Sequence, residues 1–265
     1  MASILSDGKK AVIECKVFRL GTIEFQKAWN LQNQLAKDIA EGTHPPTLLL
    51  LEHSHVYTFG NQGNADNLLW DAEELANRHV DVHWIDRGGD VTYHGPGQLV
   101  GYPLLPLTDQ EIEVDPETGK TRMPKRDYVK YLRDLEKVII KTLSHFGIPS
   151  GQIRGQTGVW VQSEVISRCK SCPPELYNAP AKIASIGVKI DAKGISRHGF
   201  ALNVDPDMHY WNGILACGLN NQNKISMANL MANPPTVDQV APAIIENFKQ
   251  VFDYNMDVHA GVLLL

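Results

Sequence analysis

Three groups of residues in this 265-residue chain have the types and spacing to do chemistry. The densest is Arg87-Gly88-Gly89-Asp90-Val91-Thr92-Tyr93-His94-Gly95-Pro96-Gly97-Gln98. Glycines at 88 and 89 permit positive φ and the close approach of another molecule. Arg87, Thr92, His94 and Gln98 surround that bare backbone with donors and acceptors. A tight turn with a satisfied histidine accounts for a lone Gly-Gly, but four glycines, a proline and four polar side chains within twelve residues are more than a turn requires. The second group centres on Lys182. In residues 182–190, Lys182, Ala184, Ile186, Val188 and Ile190 share one face of a strand. A lysine on an apolar face either snorkels to water from a strand end or is desolvated, sheds its proton and can serve as a base. The pattern leaves both open. The third is Cys217, between Ala216 and Gly218. A lone thiol is most often a small packed hydrophobe. With a lysine or histidine nearby it becomes a nucleophile, and small neighbours leave room for a carbonyl to approach.

Other candidates have simpler readings. His53 and His55 at i, i+2 share a strand face, but no further ligand completes a metal site. Cys169-x-x-Cys172 is half a zinc site with no second half, so reduced, exposed loop thiols are expected and no metal. Residues 120–141 hold eight Lys or Arg against three Asp or Glu. In a chain of formal charge −5 this stretch is either a solvated helix face or a docking patch for an acidic partner.

The elements that position these groups follow from periodicity. A strand is expected over residues 11–20, broken by Gly21 and Thr22. A helix follows, N-capped by Thr22, with Phe25, Ala28, Leu31, Leu35 and Ile39 on one face. Residues 47–52 read as a buried strand and 71–78 as a short helix. Strands at 80–85 and 99–105 flank the glycine-rich block, which is expected to be a loop between two strands of one sheet. Residues 107–124 read as a loop. An amphipathic helix capped by Asp127 carries Val129, Leu132, Leu135, Ile139, Leu143 and Phe146 and stops at Gly147. Residues 157–161 and 182–190 are strands, the latter in a hairpin with 196–204. A packing helix spans 237–252, and residues 261–265 are either a final strand or an apolar tail.

Length fits one large domain or two small ones, and a single domain, residues 1–265 with peripheral segments 1–10 and 255–265, is expected. The acidic balance argues against a nucleic-acid surface. No apolar run approaches the roughly 20 residues of a membrane span, and residues 1–10 lack the pattern of a signal or transit peptide. A cytoplasmic location is the expectation.

Taken together, Arg87 to His94 continued by Gly95-Pro96-Gly97-Gln98 and Tyr102-Pro103, then Lys182-Ile183-Ala184-Ser185-Ile186-Gly187, then His198-Gly199-Phe200-Ala201-Leu202-Asn203-Val204 and Ala216-Cys217-Gly218, resemble the octanoyltransferases of lipoate biosynthesis. The resemblance covers residues 17–230. It implies an α/β (α+β) fold with a mixed β-sheet flanked by helices, like the biotin/lipoate protein ligase catalytic domain. It implies transfer of an octanoyl group from octanoyl-acyl carrier protein to a lysine of lipoyl domains. The acceptors would be those of 2-oxoacid dehydrogenase subunits and the glycine cleavage H protein. Cys217 takes the family's nucleophile position and Lys182 that of the lysine that activates it. Arg87, Gly88, Gly89, Asp90, Val91, Thr92, Tyr93 and His94 match substrate-binding segments, as do Ser185, Ile186, Gly187, Gly199, Phe200 and Ala201. No cofactor is implied, and a monomer is expected. The chain departs from the pattern at Ala216, where the family often has proline. It departs again at residues 225–227, and segments 107–125 and 162–181 are longer than in compact members. The alternatives on the same residues are an ATP-dependent lipoate or biotin protein ligase, which would not need Cys217, and a non-catalytic lipoyl-domain-binding protein.

Overall fold

Leu48, Leu49, Leu50 and Leu51 are all buried, and they divide by parity. Leu48 and Leu50 enter one core, Leu49 and Leu51 another. A strand covered on both faces explains why this run is apolar without alternation. The structure is a computed structural model that describes residues 13–107, 113–114, 121–122, 128–169, 172, 174–215 and 223–260.

In chain order the elements begin with β1 (Ile13–Ile23), α1 (Phe25–Ala40), β2 (Thr47–His53), β3 (Val56–Phe59), α2 (Ala72–Asn77), β4 (Asp81–Trp84), β5 (Val91–His94) and β6 (Gln98–Leu104). There follow β7 (Glu113–Val114), β8 (Thr121–Arg122), α3 (Tyr128–His145), β9 (Gly151–Ile153), β10 (Gln156–Val161) and α4 (Ser163–Ile166). The chain continues through β11 (Ala181–Ile190), β12 (Ser196–Asn203), α5 (Met227–Leu230), α6 (Val237–Phe252) and β13 (Tyr254–Ala260).

Eight strands form one mixed sheet in the order β13-β1-β2-β6-β12-β11-β10-β9. Only β13-β1 and β1-β2 are parallel; the rest is antiparallel. Helix α1 covers one face with Ala28, Leu31, Leu35 and Ile39. Helices α3 and α6 cover the other with Leu135, Ile139 and Leu143 against Val240, Ile244 and Phe248. The apolar stripes of all three were readable from spacings of three and four. The sheet and its helices match the expected mixed α/β architecture.

Local expectations changed where tertiary contacts decided. Gly21 and Thr22 do not end β1. The strand absorbs them through a register shift between Arg19 and Thr22, and Glu24 rather than Thr22 precedes the helix. Val129, placed on the apolar face of α3, is 63 % exposed, because the buried face starts at Tyr131. The expected cap Asp127 lies outside the described residues. Within 107–124, β7 and β8 pair as a short hairpin. Residues 255–260, expected to be peripheral, form most of β13 and pair in parallel with β1; residues 261–265 lie outside the described residues.

The largest revision concerns the glycine-rich block. It is not one loop between two strands of one sheet. Residues Val91–His94 are themselves β5, which joins β3 and β4 in a separate three-stranded sheet in the order β4-β3-β5. Only β6, after it, belongs to the large sheet.

Cys169 and Cys172 also differ from expectation: they form a disulfide. Cys172 is 4 % exposed, and Tyr177 Oη donates to both Cys169 and Cys172 carbonyls. Cys172 is buried in the core shared with α3 and α6 and Cys169 packs against it, which is why the thiols are not an exposed reduced pair. Among the described residues no group of three or more His, Cys, Asp or Glu is arranged to hold a metal ion.

Candidate active site

A cavity of about 570 Å³ opens between the small sheet and the β11–β12 hairpin, within the size range of small-molecule sites. One wall is Arg87, Gly88, Gly89, Asp90, Val91, Thr92 and His94. Opposite stand Lys182, Ser185, Ile186, Gly187 and Val188 of β11 and His198, Gly199, Phe200 and Ala201 of β12. Phe25, Ile85, Tyr102, Leu132 and Trp211 add apolar surface.

The two walls are bolted together by main chain and by one charge cluster. Gly88 N–H donates to Val188 O at 2.9 Å. A Cβ at Gly187 would press on Arg87 Cδ and Gly88 O at 3.0 and 3.1 Å, so a bare backbone lets the loop seat on β11. Asp86 accepts from Lys189 Nζ at 2.6 Å, Arg197 Nη2 at 2.9 Å and His198 Nε2 at 2.8 Å. The His198 hydrogen bond, then the two cations, hold its carboxyl far below the usual carboxylate range despite partial burial. His198 itself is pushed down by burial against the pull of Asp86. Its backbone sits at φ +57, an uncommon conformation for a histidine, fixed by donation of its N–H to Gln32 Oε1 at 2.8 Å.

Strand alternation sorts the first block. Thr92 and His94 face the cavity. Tyr93, predicted as substrate-binding, turns to the other side of β5, where it is fully buried and its hydroxyl bonds His55 Nδ1 at 2.9 Å. Arg87 is largely structural: Nη2 donates to Thr58 O at 2.5 Å and Thr58 Oγ1 at 3.0 Å. Asp90 Oδ2 accepts from Asn67, whereas Asp90 Oδ1 and Thr92 Oγ1 are buried without a partner among the described residues. Both belong to cavity-lining side chains, as groups awaiting a ligand would. His94 Nδ1–H donates to Gln98 Oε1 at 2.7 Å, which leaves Nε2 as the acceptor, with Thr58 Oγ1 at 3.5 Å. Burial, with His53 beside it, holds His94 well below the usual imidazole range, so the ring is neutral.

The polar chain continues past His94. Gln98 Nε2 donates to Asn203 Oδ1 at 3.0 Å, and Asn203 Nδ2 donates to Ile225 O at 3.0 Å. Ile225 N–H donates to Lys182 O at 3.1 Å, and Lys182 N–H to Asn223 O at 2.8 Å. Buried hydrogen bonds thus connect the His94 wall to residues 223–226 and to the backbone of Lys182.

Lys182 is 8 % exposed, so it is buried rather than snorkelling. Its Nζ lies 4.7 Å from the Trp160 ring centroid, a cation–π distance. Behind it β10 is bulged, and Gly158 at the bulge donates its N–H to Glu136 Oε1 at 3.0 Å. Glu136 is fully buried and paired with Arg133 at 2.6 Å. A Cβ at Gly158, where φ is +119, would meet Ala184 O at 2.6 Å, so the glycine lets β10 lie close on β11, with the Lys182 stem in ordinary contact at 3.4 Å. Lys182 also forms a parallel bridge with Lys224, a second cavity lysine.

Of the predicted site residues, Lys182 and every substrate-binding residue except Tyr93 converge on this cavity. Cys217 lies outside the described residues, between Leu215 and Asn223. Phe25, Ile85, Tyr102, His198, Trp211 and Lys224 were not singled out for the site. The alternation of β12 could have flagged His198; for Lys224 no local signal exists, because its place depends on a bridge to a strand 42 residues earlier. His53 is a packed core histidine, as expected. It bonds Ile23 O at 2.8 Å and Tyr102 Oη at 2.7 Å, and burial pushes it down to about 4.

Residues 24–249 match the model of the lipoyl protein ligase A/B catalytic domain. The chain is 37 % identical to an octanoyltransferase of Chloroflexus aurantiacus, covering 92 % of this chain and 96 % of that protein. It is 39 % identical to an octanoyltransferase of Solibacter usitatus, over 91 % and 94 % of the two chains. Among solved structures, the bipartite lipoate protein ligase of Thermoplasma acidophilum superposes with a TM-score of 0.63 at 15 % identity, covering 94 % of this chain and 87 % of the other. Lipoate-protein ligase A bound with ATP superposes at 0.60 and 15 %, over 93 % and 90 %. At such identities these structures establish the fold only. A cavity in which Lys182 faces the Arg87–His94 wall, on this sheet and with these relatives, places the chain in the lipoyl protein ligase A/B catalytic-domain family.

Proposed function

We propose that this protein is an octanoyltransferase that moves an octanoyl group from octanoyl-acyl carrier protein to a lysine amine on a lipoyl domain, through a thioester on Cys217. The observation that carries this reading is Lys182, buried in a cavity of mixed polar and apolar lining, in a chain 37–39 % identical to octanoyltransferases. In the first step the Cys217 thiolate attacks the donor thioester carbonyl. A new C–S bond forms, the old one breaks, and the carrier's sulfur leaves as a thiol by taking from Lys182 the proton that Cys217 gave up to it. In the second step the acceptor amine attacks the Cys217 thioester. The amide C–N bond forms, the C–S bond breaks, and Lys182 takes the amine proton. Exchange of one thioester for another needs no prior activation of the acyl group. Phe25, Ile85, Tyr102 and Phe200 supply apolar surface for the hydrocarbon chain. The lipoyl-domain acceptors of 2-oxoacid dehydrogenase subunits and the glycine cleavage H protein belong to this proposal, as do a monomeric state and a cytoplasmic location.

Intact-protein mass after incubation with octanoyl-acyl carrier protein tests it. Wild type should gain one hydroxylamine-labile octanoyl group and Cys217→Ala none. ATP-dependent labelling of the lipoyl domain that survives Cys217→Ala would overturn the reading in favour of a ligase.

A further inference from the structure

Lys182 is not the cavity's only lysine. The segment that begins at Asn223 runs beside β11, joined to it by the Lys182 N–H to Asn223 O and Ile225 N–H to Lys182 O hydrogen bonds. Residues paired in register across a parallel bridge project to the same side, with their backbones about 4.8 Å apart. Lys182 and Lys224 are such a pair, and both line the cavity. Each ammonium also lies over an indole: Lys182 at 4.7 Å from the Trp160 centroid, Lys224 at 5.5 Å from Trp211.

Two ammonium groups carried on one side of a bridged residue pair and lining one cavity disfavour each other's charge, so each holds its proton less tightly than it would alone. Burial decides which partner gives way. Lys182 is buried and Lys224 only half-buried, so desolvation falls harder on Lys182. The Trp160 ring opposes this, but the Trp211 ring gives Lys224 a comparable cation site. Among the described residues, the other charged or titratable groups lining the cavity with the pair are Arg87, Asp90, His94, His198 and Tyr102. Glu136 lies behind Gly158, its charge engaged by Arg133.

We propose that Lys224, through its ammonium group across the bridge, keeps Lys182 in the amine form that accepts the proton of the incoming lysine. Lys224 acts through Lys182 rather than on the substrate itself. The role of Lys182 as proton acceptor belongs to the function proposed above, on which this inference rests.

The test is competitive acetylation with acetic anhydride across pH, read at Lys182 by peptide mass spectrometry, in wild type, Lys224→Met and Lys224→Arg. Removing the neighbouring charge should make Lys182 bind its proton more tightly. In Lys224→Met the labelling midpoint of Lys182 should rise by about one pH unit, leaving about tenfold less amine at neutral pH. The rising limb of the octanoyl-transfer pH profile should move the same way. Lys224→Arg, which keeps the charge, should return both to their wild-type positions whatever its absolute rate. An unmoved Lys182 midpoint in Lys224→Met overturns the proposal. So does a Lys224→Arg profile displaced like that of Lys224→Met, which would show packing on Trp211 rather than charge. Lys224→Gln replaces Lys224→Met should the latter fail to fold. Absence of octanoyl transfer by wild type would sink the proposed function alone, because the labelling reads the lysine pair independently of turnover.

Discussion

At the scale of the residue, the cavity-lining His94 and His198, and the core histidine His53 beside His94, stay neutral because they are buried. His53, His94 and His198 all bind protons more weakly in the folded protein than in the unfolded chain. As pH falls through about 6.5 the unfolded chain takes up protons, whereas His53 in the fold resists until about 4. Stability present at neutral pH is therefore lost on acidification between these values. The fall from 6.5 to about 4 at His53 corresponds to on the order of 3 kcal/mol once that window is crossed. Asp86, held low by its three partners, adds stability that disappears at still lower pH, as its carboxylate is protonated in the folded state. Urea unfolding as a function of pH checks this. His53→Asn should be less stable at neutral pH, and the deficit should shrink on acidification because its stability falls with about one proton less of slope between pH 6.5 and 4. An unchanged slope would mean that His53 is not the group that resists protonation.

At the scale of the element, the small sheet and the β11–β12 hairpin define the cavity, and the chain Gln98–Asn203–Ile225 ties one to the other. Asn203 is 3 % exposed and uses both ends of its amide, accepting from Gln98 and donating to Ile225 O. Asn203→Asp keeps the shape but sets an acceptor against the Ile225 carbonyl. A cost of about 1–3 kcal/mol is expected from the buried hydrogen bond lost. Amide hydrogen exchange should accelerate at Ile225 and Lys182 before it does in α1. Uniform exchange across the molecule would show a general loss of stability and no anchoring role. The strands of this site were legible as runs of apolar residues. Their assignment to two sheets was not: β4 and β6 look equivalent as runs, and only the pairing of β3 with both β4 and β5 separates them.

At the scale of the whole molecule, the chain is acidic and α3 is its basic exception. Part of that charge is neutralised on the helix itself, where Lys130 pairs with Asp134 and Arg133 with Glu136. Lys137 is exposed on the same helix, and Leu132 of that helix reaches the cavity. If acidic partner proteins dock on this face, Lys137→Glu should raise the KM for the carrier protein or the lipoyl domain several-fold at low salt. The difference should shrink at 0.5 M salt, where screening falls to a few ångströms, with kcat little changed. Steady-state kinetics at two ionic strengths reads this directly. A KM insensitive to the substitution would return the face to ordinary solvation.

The sequence by itself determined the three packed helices, the buried strand of four leucines and, of the cavity, Lys182 and the glycine-rich wall. Periodicity and residue type are local properties, and a dense polar block among glycines has few structural uses. It also carried the resemblance that the family match bears out. Only the tertiary structure decided that Tyr93 turns away from the cavity, that Lys182 is buried rather than snorkelling and that Cys169 and Cys172 are joined. It alone brought Lys224 beside Lys182. Each of these depends on which distant strand or helix covers a given face, and contacts between residues far apart in the chain leave no period in the sequence from which to read them.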